Sequence, residues 1–355
     1  MWKRWIVALV LVAVSVLGVK STIRIRPPVG PDKWYPAEPA KLQEAVDGYL
    51  AAAKVDLPER RIAACIAPIS AYGFSGDVAA HAFKALKPGQ YDRVIVLTAS
   101  HYASFRGCSV PAVQGFQTPL GIVILDGPAI HKLTYCTLIT TRSLRYEKIQ
   151  DRISVHEPEH GIEVLLPFLQ TQLGFFKLVP IVVGDLLDYN GKLDDQAVAT
   201  IARVLSEIID DRTLVVVGSN FTHHGNAYSY RPFRENVLQG VEQLDQEAFQ
   251  LILSKNEKGF EEYLERTKNT ICGKTAISIL LKLLPRKTEG YLLNYNISAR
   301  KTNDLTNAVG YGALAFVDPT QPPPESHLVP IVEIPPEEPA AEQPAEPAEP
   351  AKPEP

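Results

Sequence analysis

Arg93-Val-Ile-Val-Leu-Thr-Ala99 is the stretch that decides the fold, and Thr213-Leu-Val-Val-Val-Gly-Ser219 is a second run of the same kind. Both are continuous rows of aliphatic and β-branched residues, a pattern typical of strands that are buried on both faces. Such strands occur in parallel or mixed sheets that helices cover on each side. We therefore predict an α/β fold, a single three-layer αβα sandwich around a mostly parallel or mixed sheet.

The sequence on either side of these runs alternates between helix and strand patterns, as this fold requires. The predicted helices are 40–53, 76–86, 161–173, 194–209, 235–253 and 274–284. The predicted strands are 62–68, 93–99, 120–126, 177–184, 213–219, 291–298 and 308–317. All of these elements fit one globular domain, which we place at residues 27–318.

The two ends of the chain differ in composition from this body. Residues 5–19 are uncharged and apolar and follow Lys3 and Arg4, which indicates a signal anchor or a cleaved signal peptide within residues 1–26. The positive residues would stay inside, so the rest of the chain is predicted to be extracytoplasmic, either anchored to the cell membrane or secreted. Residues 319–355 are dominated by Pro, Glu and Ala and predict a disordered tail.

The charge is concentrated at the ends, and the body is close to neutral. Residues 1–26 hold five basic and no acidic side chains, whereas residues 325–355 hold eight acidic side chains and one lysine, in a chain of net charge −4. A body without a basic surface is not expected to bind nucleic acid. A small-molecule ligand and, through the N-terminal segment, a membrane are the partners that the sequence allows.

Three metal-ligating side chains follow or precede predicted elements. His101 follows the first strand, His223 follows the second, and Cys272 stands at the start of a predicted helix. The carboxyl ends of the strands in such sheets border the crevice where ligands bind. Imidazole and thiolate are ligands of soft or borderline transition metals. The alternative is structural: two hydrogen-bonded loop histidines and a small residue at a tight turn.

His156-Glu-Pro-Glu-His160 satisfies the His-Glu-x-x-His pattern of zinc metalloproteases. That pattern requires both histidines on one face of a helix. Pro158 is tolerated only in the first turn of a helix, which would leave His156 outside it. We therefore reject the protease interpretation and predict that Glu159, His160 and Glu163 form the polar start of helix 161–173.

Five segments, read in order, resemble the Memo-like proteins, which are called AmmeMemoRadiSam system protein B in prokaryotes. The resemblance covers about residues 63–316. The segments that carry it are Ala67-Pro-Ile-Ser-Ala-Tyr-Gly-Phe-Ser-Gly76, Leu97-Thr-Ala-Ser-His-Tyr102, Glu159-His-Gly-Ile-Glu-Val-Leu-Leu-Pro-Phe-Leu-Gln170, Gly218-Ser-Asn-Phe-Thr-His223 and Thr270-Ile-Cys-Gly273.

The resemblance implies a fold similar to that of class III extradiol dioxygenases and a metal site of two histidines and a cysteine. Those three positions correspond to Ile69, His101 and Cys272, and the family's aspartate corresponds to Asn220. This chain therefore departs from the pattern at Ile69 and Asn220. The remaining candidate ligands of a copper, iron or zinc ion are His101, His223 and Cys272. Other possible cleft residues are Tyr72, Ser75, His160, Glu163, Asn220 and His224.

Two functions of different classes follow. The first is a metal-binding protein with a partly degenerate site, and the second is a non-catalytic extracytoplasmic binding or scaffold protein. Ring cleavage is not expected, because it requires two histidines and a carboxylate on iron. The resemblance also implies an association with a radical SAM protein.

Overall fold

The structure is a computed structural model that describes residues 23–144 and 153–327. Its strands are β1 Ile25–Arg26, β2 Arg61–Ala67, β3 Arg93–Ala99, β4 Cys108–Ser109, β5 Gly115–Thr118, β6 Gly121–Ile124, β7 Ile139–Thr140, β8 Ser143–Leu144, β9 Ile153–Ser154, β10 Lys177–Val183, β11 Thr213–Gly218, β12 His223–Gly225, β13 Glu289–Ile297 and β14 Asn307–Asp318. Its α-helices are α1 Pro39–Ala52, α2 Tyr72–Phe83, α3 Gly127–Leu133, α4 Leu166–Leu173, α5 Asp195–Ser206, α6 Val237–Leu253, α7 Glu257–Thr267, α8 Lys274–Leu283 and α9 Ala299–Thr302.

The large sheet is mixed, as predicted. Its strand order is β12-β14-β2-β11-β3-β10-β4-β7, and β13 pairs with β14. Strands β2, β11, β3 and β10 are parallel neighbours, whereas β14 runs antiparallel to β2, and β4 runs antiparallel to β10. Every residue of β2 and β11 is buried, because helices cover both faces of these central strands.

Two groups of helices form the outer layers. Helices α1, α2 and α4 pack on one another, and α2 contacts β2 and β14. Helices α5 and α8 also pack together, and α8 contacts β3 and β11. Helix α7 joins α6 to this second group. The α/β architecture predicted from the buried strands is therefore confirmed.

Some element boundaries differ from those predicted. Helix α2 begins at Tyr72, four residues before the predicted start. Predicted helix 161–173 is divided into a 3-10 turn at Glu163–Leu165 and helix α4. Helix α7 and the short strands at the sheet edge were not predicted. Short elements carry too few residues for a periodic pattern to be distinguished from a loop.

The folded body extends beyond both predicted boundaries. Ile25 and Arg26 pair with Gly115 and Phe116 of β5, although the predicted signal segment included them. After the predicted end at residue 318, Gln321 accepts a hydrogen bond from the Arg61 amide. The described part of the predicted tail, residues 319–327, is therefore packed on the body.

The predicted anchor or signal peptide and most of the predicted tail lie outside the described residues. Within residues 23–144 and 153–327, no helix has the length and apolar character needed to cross a membrane.

Candidate functional site

The carboxyl ends of three parallel strands meet at one edge of the sheet. Gly218 at the end of β11 pairs with Ala67 at the end of β2, and β3 lies on the other side of β11. The side chains that follow these three ends include Ile69, His101 and Asn220. The parallel register therefore brings together residues that are more than 100 positions apart in the sequence.

A cavity of about 570 Å³ lies at this edge. His101, His160 and His223 all line it, together with Ile69 and Asn220. His101 and His223 therefore lie at one crevice, as the strand ends predict, whereas Cys272 is not among the residues that line it. Loop residues and side chains from the N-terminal segment and the β13–β14 region form the rest of the wall: Lys33, Trp34, Ser70, Ala71, Phe74, Tyr228, Ser298, Thr302, Asp304, Asn307, Val309 and Tyr311.

The Glu159 carboxylate holds His101 in one orientation. The carboxylate is 2% exposed, and its Oε1 accepts a 2.8 Å hydrogen bond from His101 Nδ1. Its other oxygen accepts from the His101 amide at 2.9 Å, and Gly161 N also donates to Oε1. Burial opposes ionisation, but these bonds dominate and lower the pKa of Glu159. A carboxylate thus holds Nδ1 of His101 and leaves Nε2 as the nitrogen that can face another partner or a metal ion.

Cys272 lies on the other side of the His101 ring. Burial lowers the pKa of His101, but hydrogen bonding to Cys272 and Glu159 outweighs it and raises the pKa from 6.5 to about 10. The Cys272 sulfur accepts a hydrogen bond from the Asn220 amide at 3.2 Å. His101 is therefore placed between a carboxylate and a sulfur, and a proton or a metal ion can be shared on the sulfur side.

His160 is held in one orientation by aromatic neighbours. Its ring stacks on Trp34 with a centroid distance of 3.9 Å and an interplanar angle of 5°. The Tyr102 hydroxyl lies 3.2 Å from its Nδ1. Burial lowers the pKa of His160 to about 4. His160 is therefore neutral near pH 7, the form in which imidazole binds metals.

Among the described residues, one compact group of side chains could hold a metal ion. His101, Glu159 and His160 each offer a ligand atom, and these atoms lie within 4.8 Å of one another. Of the three predicted ligands, this group contains only His101. Its other two members are Glu159 and His160. His223 and Cys272 lie outside this group, although both are beside it.

His223 is oriented by the backbone of the loop that carries Cys272. Its Nδ1 donates to the Thr270 carbonyl at 3.0 Å, and its amide donates to the Thr270 hydroxyl. Burial lowers its pKa, and the positive charge of His101 acts in the same direction. His223 is therefore a neutral imidazole whose Nε2 is the remaining ligand atom.

Ile69 and Asn220 close the wall where the family pattern has a histidine and an aspartate. Ile69 is 1% exposed, and a Cβ atom on Gly218 would lie 2.7 Å from its Cγ2. Asn220 Oδ1 accepts a 2.9 Å hydrogen bond from the Ile69 amide. These two residues support each other and contribute no charge to the site.

Four residues that we predicted as possible cleft residues lie elsewhere. Tyr72 is 5% exposed and its hydroxyl donates to the Val164 carbonyl, because α2 begins early and directs this ring into the core. Ser75 is also buried within α2 and donates to the Ser70 carbonyl. His224 lines a different cavity, since neighbouring residues of β12 point to opposite faces.

Glu163, the fourth of them, is a buried structural carboxylate. It is fully buried and forms an ion pair with Arg26. It also accepts hydrogen bonds from the Val29 and Gly30 amides and from the Tyr35 hydroxyl. Arg26 in turn donates to the carbonyls of His156 and Glu159. This network attaches the N-terminal segment, including Trp34, to the loop that carries Glu159 and His160.

The structure also bears on the rejected protease pattern. His156 Nε2 donates to the Ser109 carbonyl at 3.0 Å, so this side chain points away from His160. Residues 156–160 form a turn, a bend and irregular backbone rather than a helix. The two histidines cannot share a metal ion in the manner of that pattern.

Acidification is expected to destabilise the fold through His156. Burial lowers its pKa to about 3, so its contribution to stability is complete above the unfolded-state value near 6.5 and is lost as the pH falls towards 3. For one group, the free energy of unfolding changes by at most about 1.4 kcal/mol per pH unit. The free energy of unfolding, measured with urea between pH 7 and pH 4, should depend less on pH in His156→Gln than in the native protein. The same pH dependence in both proteins would contradict this assignment.

Comparisons with known proteins agree with this description. The sequence profile of the family described as Memo-like protein matches residues 26–315. The chain is 28% identical over 301 residues to Protein memo-1 homolog of Caenorhabditis elegans, and this match covers 81% of each chain. It is 28% identical over 300 residues to Protein MEMO1 of Homo sapiens, covering 80% of this chain and 94% of that one. This chain belongs to the Memo-like family, of which it is a divergent member.

A solved structure of an uncharacterized protein, JW3007 from Escherichia coli K12, is a weaker match. The sequence identity is 10% and the TM-score 0.39, over 72% of this chain and 99% of that chain. A likeness at this level adds nothing to the assignment.

Two residues that shape the site around the histidines are not apparent from the sequence. Glu159 is predicted to lie at a helix start, whereas it binds His101. Its position beside His160 was the only available signal. Trp34 lies in a segment without periodicity, and nothing in the sequence indicated that it would stack on His160.

Proposed function

We propose that this protein binds one copper, iron or zinc ion in the cleft, through His101, Cys272 and His223. The observation that carries the proposal is the shared hydrogen-bonding pattern of the two histidines. Nδ1 of each ring is bonded to a protein acceptor, Glu159 for His101 and the Thr270 carbonyl for His223. This is the arrangement by which proteins fix metal-binding imidazoles and leave Nε2 for the ion.

The donor set fits a transition metal. Two imidazole nitrogens, that of His101 after it has lost its proton, and a sulfur are suited to copper, zinc or iron and poorly suited to magnesium or calcium. The Asn220 amide that donates to the Cys272 sulfur stabilises negative charge there. An ion held in this way supplies Lewis acidity and, for copper or iron, one-electron chemistry.

The residues of this chain determine what else the site can do. Ile69 provides no lone pair, and Asn220 provides no negative charge. We therefore propose weak metal binding and no extradiol ring cleavage, since the two-histidine, one-carboxylate arrangement with open positions is incomplete in this ligand set. The Ile69–Asn220 wall is also the feature that favours the second candidate, a binding protein that has lost metal chemistry.

Replacing Glu159 with glutamine is expected to weaken metal binding by about 10- to 100-fold, as removal of such orienting partners does. Titration of the purified protein with zinc, copper and iron measures the change. Glu157→Gln is the matched control, because Glu157 is an exposed residue of the same loop and should leave the affinity unchanged.

His160→Gln separates the proposed ligand set from the compact group of His101, Glu159 and His160. The proposed set predicts an affinity within a few-fold of native. Loss of binding in His160→Gln, with binding retained in His223→Gln, would show that the compact group is the metal site.

A further inference from the structure

A second cavity, of about 520 Å³, lies away from the metal site, where helix α6 begins. Residues of the loop before α6 line it, together with His224 and the nearby Leu305 and Thr306. The volume is within the range of small-molecule sites. The proposed metal site does not include this cavity.

The charge of this cavity favours an anion. Arg231 and Arg234 both line it, and Glu235 is the single acidic residue in the part of its wall that the structure describes. The described residues offer neither arginine a salt-bridge partner. Guanidinium groups bind phosphate and carboxylate groups through paired hydrogen bonds.

The start of α6 adds backbone donors to this wall. The helix is 17 residues long, Asn236 at its N-cap forms no side-chain capping bond, and the first turn contains no acidic residue. Hydrogen bonding within the helix begins when the Gly240 amide donates to the Asn236 carbonyl. The amides of the first turn therefore need other acceptors, and the helix dipole favours a negative charge there.

A buried imidazole forms part of the cavity wall. His224 is 1% exposed, and its ring lies against Phe233, with a centroid distance of 6.2 Å and an interplanar angle of 22°. The two rings therefore give this side of the cavity a fixed aromatic surface.

We propose that this cavity binds a small organic phosphate, with the phosphate group between Arg231, Arg234 and the start of α6. The apolar part of the ligand would lie against Phe233, Leu238 and Leu305, which line the same cavity. His224 would support the Phe233 ring from behind. This site is distinct from the metal site and does not depend on it.

The test is calorimetric titration of the full-length protein, in the presence of a metal chelator, with inorganic phosphate and with phenyl phosphate. Phenyl phosphate should bind more tightly than inorganic phosphate, and Arg231→Ala and Arg234→Ala should each weaken binding by about tenfold or more. Arg286→Ala is the control, because Arg286 is exposed and lies outside this cavity wall.

Two results would overturn the proposal. One is no detectable binding of phenyl phosphate by the native protein. The other is binding that is unchanged in Arg231→Ala and Arg234→Ala but lost in Cys272→Ser, which would place the anion at the metal site. Circular dichroism of each variant shows whether it is folded, and Arg231→Lys and Arg234→Lys, which keep the charge, should retain more affinity than the alanine variants.

Discussion

Replacing Glu163 with alanine is expected to lower the free energy of unfolding by about 3–5 kcal/mol. Removal of the carboxylate leaves the buried Arg26 guanidinium without its counter-charge. It also leaves the Val29 and Gly30 amides without their acceptor. Urea denaturation of the native and variant proteins at neutral pH measures the difference.

Glu44→Ala is the matched control for this loss. Glu44 is an exposed residue of helix α1, so its removal should change stability by less than about 0.5 kcal/mol. A loss of less than 1 kcal/mol in Glu163→Ala would contradict the structural role that we assign to the pair.

Replacing Cys272 with serine is expected to abolish metal binding in the cleft. A serine hydroxyl is a poor ligand for a soft or borderline ion, and the two imidazoles that remain are too few for a stable site. Conversely, Ile69→His should strengthen binding, because Ile69 lines the same cavity and a histidine there adds a ligand atom. Titration of the three proteins with zinc, copper and iron should show the highest metal affinity in Ile69→His, a lower affinity in the native protein and no binding in Cys272→Ser.

Cys136→Ser controls for the loss of a thiol. Cys136 is partly buried and free, as Cys272 is, but it lies in the loop between α3 and β7, whereas the Cys272 sulfur accepts a hydrogen bond from the Asn220 amide. Its replacement should leave the affinity unchanged. Metal binding that survives in Cys272→Ser with native affinity would show that the ligand assignment is wrong.

The central sheet could be predicted from sequence because its strands are continuous apolar runs. Residues 93–99 are strand β3 with the predicted bounds, and β10 and β11 each end one residue before the predicted end. Burial on both faces requires an unbroken apolar run, and such a run is visible without knowledge of its neighbours. The strand ends then placed His101, Asn220 and their neighbours at one edge.

The contacts that complete the site could not be predicted in this way. The bond between Glu159 and His101 joins two loops, and no periodic pattern records it. Arg26 and Glu163 form an ion pair although they are 137 positions apart, and Arg26 lies in the segment that we predict as a signal anchor or signal peptide. His224 was placed in the cleft because it follows His223, yet the alternation of a strand turns it towards another cavity.

The most direct test of the proposed metal site is equilibrium dialysis of the full-length protein against saturating zinc, copper or iron, in which bound metal is measured with free metal still present, so that a weak site is detected. The proposal predicts close to one ion per chain for at least one of these metals in the native protein, and none in the His101→Ala, Cys272→Ser double variant. An ion retained by the double variant would show that the ligands lie elsewhere. No ion in the native protein would contradict metal binding and favour the non-catalytic binding role.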